Sequence, residues 1–145
     1  MTDYSLSDFK ESAREYALKL NAYNSGAFVI ALHGDLGAGK TTFAQALART
    51  LGVTGEIVSP TFVIQKNYPL EDQSFSQLIH IDAYRLEEER EMEVLGWNDI
   101  IIDPSNLILV EWPEKIDGLL PQNTKHIYFE YMSDTTRNIS YDTEA

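Results

Sequence analysis

Gly34-Asp35-Leu36-Gly37-Ala38-Gly39-Lys40-Thr41-Thr42 fits the pattern G-x-x-x-x-G-K-[ST], and its reading decides the fold. Gly34, Gly37 and Gly39 let the backbone turn tightly and aim its N–H groups at one anion. In this pattern the lysine, here Lys40, reaches the β- and γ-phosphates of a nucleotide, and the next hydroxyl, Thr41, ligates Mg2+. Composition alone yields such a match in about one of 200 chains this long, so the context has to carry the assignment. A phosphate loop leaves a strand and enters a helix. Ala27-Phe-Val-Ile-Ala-Leu-His33 is an apolar run of strand length, broken at Gly34. Beyond the loop, Phe43, Ala44, Leu47, Ala48 and Leu51 recur at helical spacing, and Gly52 is placed to end that helix. The helix N-terminus adds its dipole to the anion site.

Two further apolar runs end in carboxylates. Leu78-Ile-His-Ile81 stops at Asp82, and Leu107-Ile-Leu-Val110 stops at Glu111. Parallel strands converge their C-terminal ends on a phosphate loop, where a carboxylate holds the metal or orients an attacking water. The pattern predicts a single α/β domain over residues 1–145, with a mostly parallel central sheet flanked by helices, like the phosphate-loop NTPases. Lys125 to Met132 and Arg137 to Tyr141 alternate around a Ser-Asp-Thr-Thr turn, which predicts an antiparallel hairpin on the sheet edge.

The remaining segments are quieter. Ser5 to Leu20 reads as a helix with Phe9, Ala13, Tyr16, Ala17 and Leu20 on one face and Ser7 or Asp8 as its cap. Ser59-Pro60-Thr61 is a fixed bend, since Pro60 keeps Ser59 out of helical geometry. Residues 66–77 read as a polar loop or hairpin connection, and Leu86 to Leu95 as an acidic surface helix closed by Gly96. Trp97 and Ile100 to Ile102 lead into a turn at Asp103-Pro104. His33, His80 and His126 lack metal-ligand spacing and read as structural.

Composition narrows the function. The 145 residues carry 11 basic and 23 acidic side chains, a formal net charge of −12 that repels nucleic-acid backbones at long range. The few basic residues are scattered, so direct DNA or RNA binding is not expected. No cysteine is present, which excludes disulfides, zinc-thiolate sites and thiol chemistry. No run is long enough for a membrane span and the first residues do not resemble a signal peptide, so the expected location is the cytoplasm.

Four motifs occur in order: Gly34 to Thr42, Ser59-Pro-Thr-Phe62, His80-Ile-Asp-Ala-Tyr-Arg-Leu86 and Val110-Glu-Trp-Pro113. Together they closely resemble the TsaE family (also called YjeE), bacterial ATPases required for threonylcarbamoyladenosine modification of tRNA. The resemblance implies that ATP or ADP and Mg2+ are the ligands. Residues Gly34, Asp35, Leu36, Gly37, Ala38, Gly39, Lys40, Thr41 and Thr42 would wrap the phosphates, with Thr41 and Glu111 on the metal. Lys40, Asp82 and Glu111 would serve the reaction, Asp82 as the second acid assisting metal or water. Thr61 would belong to a loop responsive to the γ-phosphate, and Trp112 would lie near the nucleotide. The segment around Ser7 and Asp8 would approach the adenine, and Arg137 is the candidate for an arginine of the C-terminal region. It also implies two protein partners, TsaD and TsaB, with tRNA reached only through their complex.

Two other classes compete. In a nucleotide-gated binding module, ATP against ADP sets affinity for a partner and hydrolysis is dispensable. A small-molecule kinase needs a lid supplying several arginines, and this chain has only Arg14, Arg49, Arg85, Arg90 and Arg137. No Asn-Lys-x-Asp guanine-reading motif is present, which disfavours a GTPase. The absence of an evident arginine finger predicts weak hydrolysis alone and acceleration by partners.

Overall fold

The computed structural model describes residues 2–22, 25–35, 37–55, 57, 64–133 and 136–141. Leu36, the Ser59-Pro60-Thr61 bend and the side chain of Ser7, all singled out above, lie outside the described residues. Seven strands form one sheet: β1 (Thr2–Ser5), β2 (Phe28–His33), β3 (Gln65–Pro69), β4 (Gln77–Asp82), β5 (Asn106–Glu111), β6 (Lys125–Ser133) and β7 (Thr136–Tyr141). Their order is β1-β7-β6-β2-β5-β4-β3. The four central strands, β6, β2, β5 and β4, run parallel, and antiparallel pairs flank them on both sides. This is the expected α/β architecture.

Alternation along the parallel strands gives the sheet two apolar faces, as burial on both sides requires. Phe28, Ile30, Leu32, Leu107 and Leu109 meet Phe9, Phe43 and Leu47 from α1 (Leu6–Leu18) and α2 (Lys40–Thr50). Val29, Ile79, Ile81, Ile108 and Val110 meet Met92 of α3 (Glu89–Val94), Trp97 of α4 (Trp97–Ile101) and Ile116 of a kinked 3-10 helix (Pro113–Leu119). The chain therefore leaves β2 toward one face and β4 and β5 toward the other. The divergence opens a crevice beyond their C-terminal ends, where open α/β sheets bind ligands. Among the described residues no helix is long and apolar enough to cross a membrane.

Four local expectations are corrected. The C-terminal hairpin is not the sheet edge, because residues 2–5 pair with β7 as an outermost strand. The first third of the 66–77 loop belongs to strand β3, an edge strand that needs only backbone pairing with β4 and tolerates exposed polar side chains. Helix α1 is capped by Ser5, whose Oγ accepts from the Asp8 N–H at 3.3 Å, so neither Ser7 nor Asp8 caps it. Trp97 opens a short helix of its own, entered through Gly96 at φ 100°.

The phosphate loop is wedged between β6 and α1. A Cβ at Gly34 would stand 2.7 Å from the Phe129 carbonyl oxygen, and one at Gly37 would meet nothing within 4 Å. Gly37→Ala is expected to lose only the left-handed backbone preference at φ 80°, about 1–2 kcal/mol. Gly34→Ala adds overpacking against an immovable backbone, about 1–3 kcal/mol more. Urea unfolding midpoints should rank wild type above Gly37→Ala, and both above Gly34→Ala; equal midpoints for the two variants would refute the wedge.

Candidate functional site

The C-terminal ends of β2, β4 and β5 carry the site. Register aligns Leu32 with Glu111 and Asp82 with Glu111, so the predicted carboxylates stand side by side, Glu111 one strand and Asp82 two strands from the strand that enters the loop. Gly39, at φ 109°, delivers the chain into α2, and the Phe9 ring packs so closely there that a Cβ would meet its Cζ at 2.8 Å. The first helical residues are Lys40, Thr41 and Thr42.

The Thr41 hydroxyl donates to Glu111 Oε1 at 3.0 Å. The other oxygen, Oε2, accepts from His80 Nε2 at 2.6 Å, and both side chains are buried. An ionised carboxylate only accepts, so Nε2 carries the hydrogen in this pair. Asp82 Oδ1 accepts the Tyr84 N–H at 2.9 Å, which fixes the turn after β4. Lys40 is 5% exposed. Its Nζ donates to the Gly34 carbonyl and lies 3.5 Å from the centroid of the Trp112 ring. Burial lowers the Lys40 pKa, and Glu111, Glu114, Asp82 and Asp35 pull it back upward.

Trp112 reaches Lys40 because its backbone is left-handed, φ 58° and ψ 50°, at the junction of β5 and the 3-10 helix. A bulky residue at positive φ is strained by about 1–3 kcal/mol, and such strain clusters at functional sites. The Tyr84 ring contacts Trp112 with centroids 4.9 Å apart.

A cleft of about 340 Å3 gathers these groups, lined by Phe9, Gly37, Gly39, Lys40, Thr41, Thr42, Asp82, Tyr84, Glu111, Trp112 and Arg137. Most of the residues expected at the site thus border one space. Gly34 contributes its carbonyl behind Lys40, Ala38 is buried in the core beneath the loop, and Asp35 is exposed. Ser7 sits in the first turn of α1, and its side chain lies outside the described residues. Thr61 lies outside the described residues. Arg137 enters the cleft from β7, its guanidinium donating to the Ser133 and Thr136 carbonyls and stacked 4.7 Å from the Tyr131 centroid.

Phe9 and Tyr84, which line the cleft, and His80, which holds Glu111 from behind, were not among the expected site residues. Phe9 and Tyr84 look like core and turn residues in the sequence. His80 carried a readable signal, a polar residue inside the apolar run Leu78 to Ile81, which burial obliges to find a partner.

Thr41 and Glu111 offer a hydroxyl and a carboxylate oxygen within 3.0 Å of each other. Hard oxygen donors in small number suit Mg2+, which keeps several waters and takes only one or two protein carboxylates beside substrate phosphates. The donor set fits that ion.

Comparisons with known proteins point to one family. A family model described as threonylcarbamoyl adenosine biosynthesis protein TsaE matches residues 6–139. The chain is 33% identical over 137 residues to the tRNA threonylcarbamoyladenosine biosynthesis protein TsaE of Haemophilus influenzae, covering 94% of this chain and 82% of that one. Against the protein of the same name from Bacillus subtilis it is 37% identical over 131 residues, 90% and 79% of the two chains. The crystal structure of Bacillus subtilis YdiB superposes with a TM-score of 0.72 at 30% identity, covering 97% of this chain and 83% of that one.

Proposed function

This chain belongs to the TsaE family, and we propose that it serves tRNA threonylcarbamoyladenosine biosynthesis as a cytoplasmic Mg2+-dependent ATPase acting on TsaD and TsaB. The observation that carries the reading is the meeting of Thr41 with Glu111, beside Asp82 and Lys40, in one cleft at the start of α2. Each group has a distinct task.

Backbone N–H groups of Gly37 to Thr42 and the α2 dipole receive the phosphates. Lys40 brings a positive charge to the β- and γ-phosphates. Its contact with Trp112 lets the indole respond when a phosphate arrives. Thr41 and Glu111 would hold Mg2+, which would supply positive charge to the phosphates. Asp82, neighbour of Glu111 across β4 and β5, orients the attacking water and takes its proton. Trp112 and Tyr84 wall the cleft and exclude bulk water.

Catalysis is expected to be slow in the isolated chain. Lys40 and Arg137 are the cationic side chains lining the cleft among the described residues. The Arg137 guanidinium is engaged by two carbonyls and a tyrosine ring of its own hairpin. Charge developing on the γ-phosphate is therefore met mainly by Lys40, and a partner must supply further stabilisation. A donor of that kind supplied in trans is worth about 10³–10⁵ in rate elsewhere.

The test combines binding and turnover. Trp112 fluorescence should change on adding ADP with Mg2+, and Trp112→Phe should erase the change, because Trp97 is 1% exposed and does not line the cleft. ATP hydrolysis by the purified chain should be slow and should accelerate when TsaD and TsaB are added. Rapid turnover indifferent to those partners, or a fluorescence blind to nucleotide, would refute the proposal.

A further inference from the structure

We propose that His80 is a positioning residue, holding Glu111 Oε2 so that Oε1 faces the Thr41 hydroxyl and the metal. The proposal rests on reading the cleft as a Mg2+-nucleotide site, and it adds a residue to which that reading assigns no task. Glu111 ends β5 with only 3% of its surface exposed, and its carboxylate meets two donors: the Thr41 hydroxyl, 3.0 Å from Oε1 and 3.3 Å from Oε2, and His80 on Oε2. Thr41 belongs to the phosphate loop and its hydroxyl lies nearer Oε1 than Oε2, so Oε1 is the oxygen turned further toward the nucleotide side. His80 lies behind, on β4, 2% exposed and 2.6 Å from Oε2.

Register accounts for the contact. His80 pairs with Leu109 in the parallel ladder, and Glu111 is two residues further along β5 on the same face. An imidazole spans that diagonal with few rotatable bonds, so the carboxylate plane is fixed before any ion arrives. The N–H at Nε2 donates whichever charge the ring carries. Groups that orient a metal-binding carboxylate from behind raise affinity for the ion, and losing one typically costs about 10–100-fold. A histidine kept only for packing would act on stability alone.

Mn2+ binding followed by electron paramagnetic resonance, with ADP present, separates the two cases. His80→Leu fills the space and removes the donor, whereas His80→Gln keeps an N–H at similar reach. Mn2+ affinity should fall about 10–100-fold in His80→Leu and recover largely in His80→Gln. ADP affinity measured in EDTA should be the same in all three proteins. Wild-type Mn2+ affinity in a folded His80→Leu protein would overturn the inference while leaving the nucleotide site intact. A wild-type protein that binds ADP with no metal dependence overturns both. Should His80→Leu not fold, His80→Asn, whose amide stops short of Glu111, replaces it against His80→Gln with the same expected contrast.

Discussion

Lys40→Met is expected to lower ATP hydrolysis about 100–1,000-fold and, at neutral pH, to raise the melting temperature. The two effects share one cause. Lys40 holds an ammonium at 5% exposure, and burial depresses its pKa despite the pull of Glu111, Glu114, Asp82 and Asp35. Its folded pKa therefore lies below the unfolded value, and the unfolded chain binds the proton more readily. Charged Lys40 thus opposes folding at pH below the folded pKa, and the penalty fades as pH rises through the folded value to the unfolded one. Methionine keeps most of the aliphatic stem and the contact with Trp112 without the charge. The stability gap between variant and wild type should be widest near neutral pH and below, and should close at alkaline pH. Phosphate binding loses its closest cation, so turnover falls although the fold is firmer. Thermal melts across pH, paired with phosphate-release assays, check both halves. Wild-type turnover in this variant would remove Lys40 from the phosphate site.

The parts legible in the sequence were those where local chemistry and tertiary need coincide. Gly34, Gly37 and Gly39 are demanded by the backbone path, and the apolar runs ending in Asp82 and Glu111 are demanded by a doubly covered parallel sheet. Segments held by long-range pairing were not legible. The polar β3 earns its place through backbone hydrogen bonds to β4, and four residues of β1 are too few for a periodic pattern. His80 illustrates the same divide within the site. Its polarity amid Leu78 to Ile81 announced a buried partner, but which partner depended on the β4–β5 register. Phe9 reads as an ordinary core position of α1, and only the closeness of Gly39 makes it a wall of the cleft.

Asp82→Asn is expected to separate binding from hydrolysis. Thr41 and His80 hold the Glu111 carboxylate, and Asp82 Oδ1 accepts the Tyr84 N–H at 2.9 Å. An asparagine oxygen accepts that N–H equally well, so the turn beyond β4 and the Tyr84–Trp112 wall should stay in place. What disappears is the negative charge and the capacity to accept a proton from water. Nucleotide and metal affinities should stay close to wild type, while hydrolysis falls about 10²–10⁴-fold. The variant then decides between the two classes of function. If hydrolysis resets a complex with TsaD and TsaB, reconstituted tRNA modification should stop after the first rounds although ATP still binds. If the nucleotide only gates affinity for a partner, modification should continue at the wild-type rate. The sparse positive charge of the cleft is compatible with either design, because a slow enzyme and a timed gate both need the γ-phosphate to persist until a partner arrives. Only a chain that holds ATP and cannot spend it tells them apart.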